Sequence, residues 1–354
     1  MVNPTKMISE REFSGLIFEG EELNPQKSTI FVKNGIIESV EDYKGECRYW
    51  IIPAFYNAHT HIGDTVAMDI DADGDLSSLV TPPSGLKHQI LGKTDEDCLV
   101  KGMRSALFTM IESGTHGFAD FREGGIPGIN ALRKAVKGLP IVPLILGRDG
   151  SEKSADGAGI SSIRDVNNAE QIVRDARLNN KLVAFHAGEQ DRLDIDAAIE
   201  FKPDLLIHCT YATKKQLKRC AEDDIAICVC PRSNWTLGVT HSASTPPLQE
   251  MYSLGCNVFI GTDNVMFNDP DIFSELNFIS AIYKIEPGLI LESAIAGSSL
   301  SNRAYWIKVG FPAHFTIIDS EKSSLLHSHN PLRSLVRRAG TKTIVKRVFN
   351  EYLL

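Results

Sequence analysis

A chain of 354 residues, 43% hydrophobic and 23% charged, has the makeup of a globular protein and is long for a single domain. A formal net charge of −8 without a basic stripe argues against nucleic acid as a partner. No apolar run reaches membrane-spanning length and the polar N-terminus has no apolar export signal, so membrane insertion and secretion are disfavoured.

The first fifty residues look β-rich. Thr29-Ile30-Phe31-Val32, then Asn34-Gly35, then Ile36-Ile37 is a hairpin pattern with an Asn-Gly turn. Residues 313–318 and 343–348 are also strand-like, so both ends of the chain are expected to share one small β-sheet domain, made of 1–52 plus 309–354. Between them, 53–308 alternates strand and helix. The expected strands are 50–55, 117–121, 141–146, 157–160, 182–185, 205–207, 225–229 and 258–260. Helical patterns at 95–113, 128–136, 166–178, 194–200, 214–221 and 248–254 separate them. Such alternation implies a parallel sheet, and eight strands favour a closed (β/α)8 barrel over a doubly wound sheet. The fourth strand is the weakest, since Gly157-Ala158-Gly159 is poor strand material. The seven cysteines, Cys47, Cys98, Cys209, Cys220, Cys228, Cys230 and Cys256, contain no C-x-x-C pair. Several lie in apolar runs and read as reduced core residues of a cytoplasmic protein.

The chemistry-bearing residues follow the expected strands. His59 and His61, one residue apart, point to the same side of an extended backbone. His186 follows Leu182-Val183-Ala184-Phe185, His208 follows Leu205-Leu206-Ile207, and Asp263 follows Val258-Phe259-Ile260-Gly261-Thr262. Polar groups at the ends of apolar strands are costly to bury unless they find partners, and a shared metal would satisfy them together. Neutral imidazole suits zinc, iron and other divalent transition metals. A second pair of this spacing, His327 and His329, falls in a polar connection outside the eight-strand count and reads as surface.

These residues sit within longer stretches: Pro53-Ala54-Phe55-Tyr56-Asn57-Ala58-His59-Thr60-His61, His186-Ala187-Gly188-Glu189, Ile207-His208-Cys209, Cys230-Pro231-Arg232-Ser233-Asn234, and Gly261-Thr262-Asp263-Asn264. On them the chain resembles the amidohydrolase superfamily, in the branch of cytosine deaminase and related aminohydrolases, over nearly its whole length. The resemblance implies a (β/α)8 barrel with a flanking β domain, and metal ligation by His59, His61, His186 and Asp263. Binuclear members bridge two metals with a carboxylated lysine after the fourth strand. Here no lysine follows 157–160, while Lys153 and Lys181 precede strands. One divalent metal is therefore expected, zinc first, with iron or manganese as alternatives.

Such a cation lowers the pKa of its water to about 7. His208 and Asp263 could accept the released proton, and Glu189, three residues after His186, could protonate a ring nitrogen and then departing ammonia. Arg122, Arg148, Asn234 and Asn264 follow strands and are candidate substrate contacts, the arginines either for a carboxylate or phosphate or as ion-pair partners of Glu123 and Asp149. The run Asp69-Ile70-Asp71-Ala72-Asp73-Gly74-Asp75 mimics a calcium-binding loop, but its twelfth position is Val80. A lid is the better reading, with Lys87 and His88 as candidate contacts. The expected function is hydrolytic deamination of an amino-substituted heterocycle. The alternatives are cleavage of another C–N or a C–Cl bond by a mononuclear relative, and a catalytically silent barrel, which would need neither Glu189 nor Asp263. A homo-oligomer is the default assembly.

Overall fold

The computed structural model describes residues 5–6, 10–70, 76–80, 85–350 and 352–354. Most of the calcium-loop resemblance (71–75) and Pro82-Pro83-Ser84 of the lid lie outside them.

Two sheets organise the chain. The first has the order Thr5–Lys6, Tyr352–Leu353, Ile344–Phe349, His314–Asp319, Tyr49–Pro53, Glu10–Glu19, Asn24–Lys33, Ile36–Asp42. The expected hairpin forms its far edge. Asn34 and Gly35 both take positive φ (49° and 76°), as a tight two-residue turn requires, and Lys33 pairs with Ile36. Both chain ends meet where Tyr49–Pro53 lies antiparallel to His314–Asp319.

The second sheet is parallel through nine segments, running from Val258–Ile260 back through Ala226–Val229, Leu205–His208, Leu182–Ala187, Gly157–Ile160, Val142–Gly147 and Thr115–Arg122 to Phe55–His61, and then Asp263–Asn264. The last segment follows the first by only two residues. The stretch 258–264 therefore touches both ends of the sheet, which has curled round to meet itself. Asn57 bridges the seam, accepting from Thr262 N–H (3.0 Å) and donating to Thr262 Oγ1 (2.7 Å).

The first expected strand needs correction. Residues 49–53 belong to the terminal sheet, and the parallel sheet begins with Phe55–His61, so both histidines lie inside a strand rather than after one. The switch occurs across one peptide: Ala54 N–H donates to His314 O, and Phe55 N–H to Gly114 O. Because every residue from Trp50 to His61 is buried, hydrophobic periodicity carries no mark of the change.

The glycine-rich fourth strand forms because its neighbours are large. A Cβ on Gly159 would lie 2.7 Å from the Phe121 ring, and one on Gly157 would lie 2.7 Å from a Leu146 methyl. Gly261 is also pressed, since a Cβ there would lie 2.7 Å from His59 Cβ and 2.8 Å from Cys228 Sγ. Gly261→Ala is expected to destabilise the protein by about 1–3 kcal/mol through overpacking. The check is the urea midpoint at unchanged slope, and a wild-type midpoint would refute this close approach.

Helices cover the outside of the parallel sheet. Glu96–Glu112 starts on Asp95, whose carboxylate accepts from Cys98 N–H, and Lys214–Glu222 starts on a Thr213/Gln216 capping box. The C-terminal helix Pro331–Arg338 packs on Ile272–Ile282 and Pro287–Ala296, so the last part of the chain also supports the parallel sheet. The basic residues Arg333, Arg337, Arg338, Lys342 and Lys346 are all exposed, as are His327 and His329. No helix among the described residues is long and apolar enough to cross a membrane.

Candidate active site

The curled sheet brings together residues that are far apart in sequence. His59 Nε2 lies 3.0 Å from Asp263 Oδ1, and His61 Nε2 lies 3.6 Å from the same oxygen. His61 and His186 bring their Nε2 atoms to 3.4 Å. His59, His186 and His208 form one set of potential ligand atoms within 4.8 Å of one another, and Glu189, His208 and Asp263 form another. Backbone strain accompanies the convergence. His208 (φ 75°) and Asp263 (φ 60°) occupy the left-handed region that non-glycine residues avoid, at the points where their strands turn.

The hydrogen bonds around these imidazoles test whether a metal fits. His61 Nδ1 lies 2.7 Å from a Glu123 carboxylate oxygen, and His186 Nδ1 lies 3.2 Å from Ile160 O. Both partners only accept, so each Nδ1 carries its ring's proton and each Nε2 is left with a bare lone pair. Two lone pairs then face each other across 3.4 Å. A shared proton is disfavoured, because burial and neighbouring charge push His61 down to about 3, and burial with the adjacent histidines pushes His186 well below its ordinary range. Burial also keeps His59 neutral. His61 and His186, oriented through Nδ1 beside the Asp263 carboxylate, are donors of the kind a divalent cation requires, whereas His59 meets Asp263 through Nε2 and its buried Nδ1 has no hydrogen-bond partner.

Burial alone would raise the Asp263 carboxyl, but the His59 hydrogen bond and the surrounding histidines hold it well below the usual carboxylate range. Its second oxygen accepts from Ser233 Oγ at 2.5 Å, which fixes the carboxylate plane. Ser233 rides on the short helix Pro231–Thr236, and Arg232 of that helix pairs with the buried Glu275 at 2.7 Å. Glu189 follows Gly188, whose N–H donates to Asp194 Oδ1 at 2.9 Å, and its Oε1 lies 3.6 Å from His208 Nε2. Burial raises the Glu189 carboxyl, so it keeps its proton to higher pH than a free glutamate. The two carboxyls of the site are thus pushed in opposite directions.

A cavity over these groups is lined by His61, His186, His208, Asp263, Glu189, Asn264, Lys87 and Arg148, and by Ser161, Ser162, Arg164 and Asp165 from beyond the fourth strand. Of the expected substrate contacts, Arg148 and Asn264 border it, whereas Arg122 and Asn234 do not. The expectation of two arginines at one mouth is corrected at Arg122, which is 1% exposed and held by Asp120 (3.1 Å) and Glu123 (2.8 Å). Its guanidinium lies against Gly63, where any Cβ would collide with it. Asn234 is fully buried and donates to Thr210 Oγ1. His88 turns to Val80 O at 3.1 Å.

Sequence reasoning missed three supporting residues: Glu123 as the partner of His61, Ser233 as the partner of Asp263, and Lys87 as a buried cation. Ser233 carried a signal, being a hydroxyl within the Cys230–Asn234 stretch already singled out. Glu123 is expected from the sequence only as an ion-pair partner of Arg122, which it is, and nothing local joins it to His61.

Comparisons with known proteins identify the family. Residues 50–162 match the model of the amidohydrolase family, and residues 152–286 match that of adenosine deaminase. A Methanothermobacter thermautotrophicus protein, provisionally named an aminohydrolase, is 30% identical over 94% of this chain and 95% of its own. The 5-methylthioadenosine/S-adenosylhomocysteine deaminase of Pyrococcus horikoshii is 24% identical over 91% of this chain and 89% of its own. Among solved structures, the zinc complex of atrazine chlorohydrolase from Arthrobacter aurescens superposes with a TM-score of 0.81 at 15% identity, covering 97% of this chain and 94% of that one. With full-length similarity to an aminohydrolase and a histidine–aspartate cluster suited to a divalent metal, the chain belongs to the amidohydrolase superfamily, as a hydrolase of carbon–nitrogen bonds other than peptide bonds.

Proposed function

We propose that this protein is a hydrolytic deaminase of a small amino-substituted heterocycle, a nucleobase, nucleoside or related ring, and that it releases ammonia. In this reading the parallel sheet is a closed (β/α)8 barrel flanked by the terminal sheet. His59, His61, His186 and Asp263 hold one divalent metal, zinc for preference. The observation that carries the reading is the approach of His61 and His186 Nε2 to 3.4 Å, with each Nδ1 held by an acceptor and with Asp263 and Glu189 beside them.

Bound there, a divalent metal supplies a hydroxide nucleophile at neutral pH. The chain's own groups do the rest. Glu189 holds the proton that a ring nitrogen needs as the amino-bearing carbon becomes tetrahedral; its carboxylate can then take the proton of the new hydroxyl group and pass it to the leaving ammonia. His208 lies 3.6 Å from Glu189 and takes up the proton released by the nucleophile. Arg148 and Asn264 border the space where ring substituents would lie, and Arg148 suits an anionic one. The deaminase names carried by the Pyrococcus relative and by the adenosine deaminase match support this chemistry over other hydrolyses.

The test is ammonia release by metal-reconstituted protein across purines, pyrimidines, pterins and their nucleosides. Ammonia from one class would identify the ring. Chloride release from a chlorinated ring without ammonia from any amino compound would replace this reading with C–Cl hydrolysis.

A further inference from the structure

Behind His61 lies a buried group of six charged side chains. Asp64 comes from the turn Ile62–Ala67, and Lys87 from the helix Leu86–Leu91. Asp120, Arg122 and Glu123 come from the end of Thr115–Arg122, and Arg148 follows Val142–Gly147. Three carboxylates face three cations, and all six residues are buried. Glu123 is the hub. Its Oε1 meets His61 Nδ1 (2.7 Å), Lys87 Nζ (2.9 Å) and Arg148 Nη1 (3.2 Å), and its Oε2 meets Arg122 Nη2 (2.8 Å).

Lys87 differs from the other two cations. Arg122 and Arg148 are fixed to strand ends of the parallel sheet, whereas Lys87 belongs to a six-residue helix, too short to be stable by itself. That helix packs on the turn Ile62–Ala67. Lys87 Nζ bridges Asp64 (2.8 Å) and Glu123, and Lys87 is 3% exposed while also bordering the catalytic cavity. An ammonium in this place is tolerable only while both carboxylates surround it, and without it Glu123 loses one of its three cationic partners. The seating of the helix and the setting of Glu123 are thus one event.

We propose that Lys87 is a positioning residue that latches the helix Leu86–Leu91 onto the outer sphere of the metal site, so that metal retention through Glu123 and His61 depends on that helix being seated. This rests on the reading of His61 as a metal ligand. Residues that orient a ligating histidine typically change metal affinity by about 10–100-fold when removed. Coupling of this kind is reciprocal, so the metal must in turn steady the helix.

The experiment first loads the intact wild-type protein with zinc and measures its stoichiometry and its rate of loss to a chromogenic chelator. Absence of bound zinc would overturn the metal reading itself, before any variant is made. Lys87→Met keeps the stem and removes the charge, and zinc is expected to leave about 10–100-fold faster. Lys87→Met combined with Asp64→Asn relieves one stranded carboxylate but still deprives Glu123 of its ammonium, so fast zinc loss is expected to persist. A folded Lys87→Met variant with the wild-type rate, or a return to that rate in the double variant, overturns the latch. Hydrogen exchange on the wild type needs no variant. Amides of 86–91 are expected to exchange faster once zinc is removed, with those of 96–112 much less affected. Equal protection of 86–91 with and without zinc overturns the proposal.

Discussion

Glu189→Gln is expected to slow deamination by about two to four powers of ten while leaving the bound metal in place, because the amide keeps the shape of the side chain and loses only its transferable proton. The pH profile adds a sharper check. Burial raises the Glu189 carboxyl, so the acid form persists upward from the usual carboxylate range and is lost as pH rises through the raised value. If the ring nitrogen takes its proton from this acid, wild-type kcat/KM falls on that side of the profile. Glutamine has no such proton to lose, so the residual activity of the variant should lack this limb. Retention of the same limb in Glu189→Gln would assign it to another group. Loss of metal together with activity would show that Glu189 is a ligand rather than the acid.

Much of this site was legible because each candidate residue follows or lies in a short apolar run, and parallel strands place their C-terminal ends at one point. His59, His61, His186, His208 and Asp263 needed only that rule to be gathered. The Asn34-Gly35 hairpin was legible for a local reason, since few dipeptides accept two consecutive positive φ angles. What was not legible depends on partners distant in sequence. The exchange between sheets at Ala54 is hidden within an unbroken buried stretch, where no face is polar and no period exists to be read. The fourth strand looked poor because its glycines answer to Phe121 and Leu146, which lie on neighbouring strands. Arg122 looked like a substrate contact because a strand end is a good place for one. Its inward turn depends on Asp120 and on the space that Gly63 leaves for the guanidinium. The pairing of Glu123 with His61 and Lys87 joins three separate elements, so no local pattern could announce it.

Asp263→Asn is expected to be the most damaging single change at the site, exceeding the roughly 10–100-fold loss of metal affinity usual for a supporting residue. The carboxylate works on two sides. One oxygen meets His59 at 3.0 Å and His61 at 3.6 Å, and the other accepts a hydrogen bond from Ser233 Oγ at 2.5 Å. An asparagine removes the anion and leaves one of these sides facing an N–H donor, either toward the bare Nε2 of His61 or toward a hydroxyl that must then turn away. Ser233→Ala removes only the support and keeps the charge, so it should fall within the 10–100-fold range. The order of the two variants is therefore the content of the prediction. Zinc binding isotherms measure it directly, and thermal unfolding measures it independently, since a ligand that binds only the folded state raises the midpoint according to its concentration relative to Kd. Zinc should raise the midpoint of the wild type most, that of Ser233→Ala less, and that of Asp263→Asn little or not at all. An Asp263→Asn protein that folds and binds zinc as tightly as wild type would remove Asp263 from the ligand set. The cluster of His59, His186 and His208 would then become the stronger candidate for holding the metal.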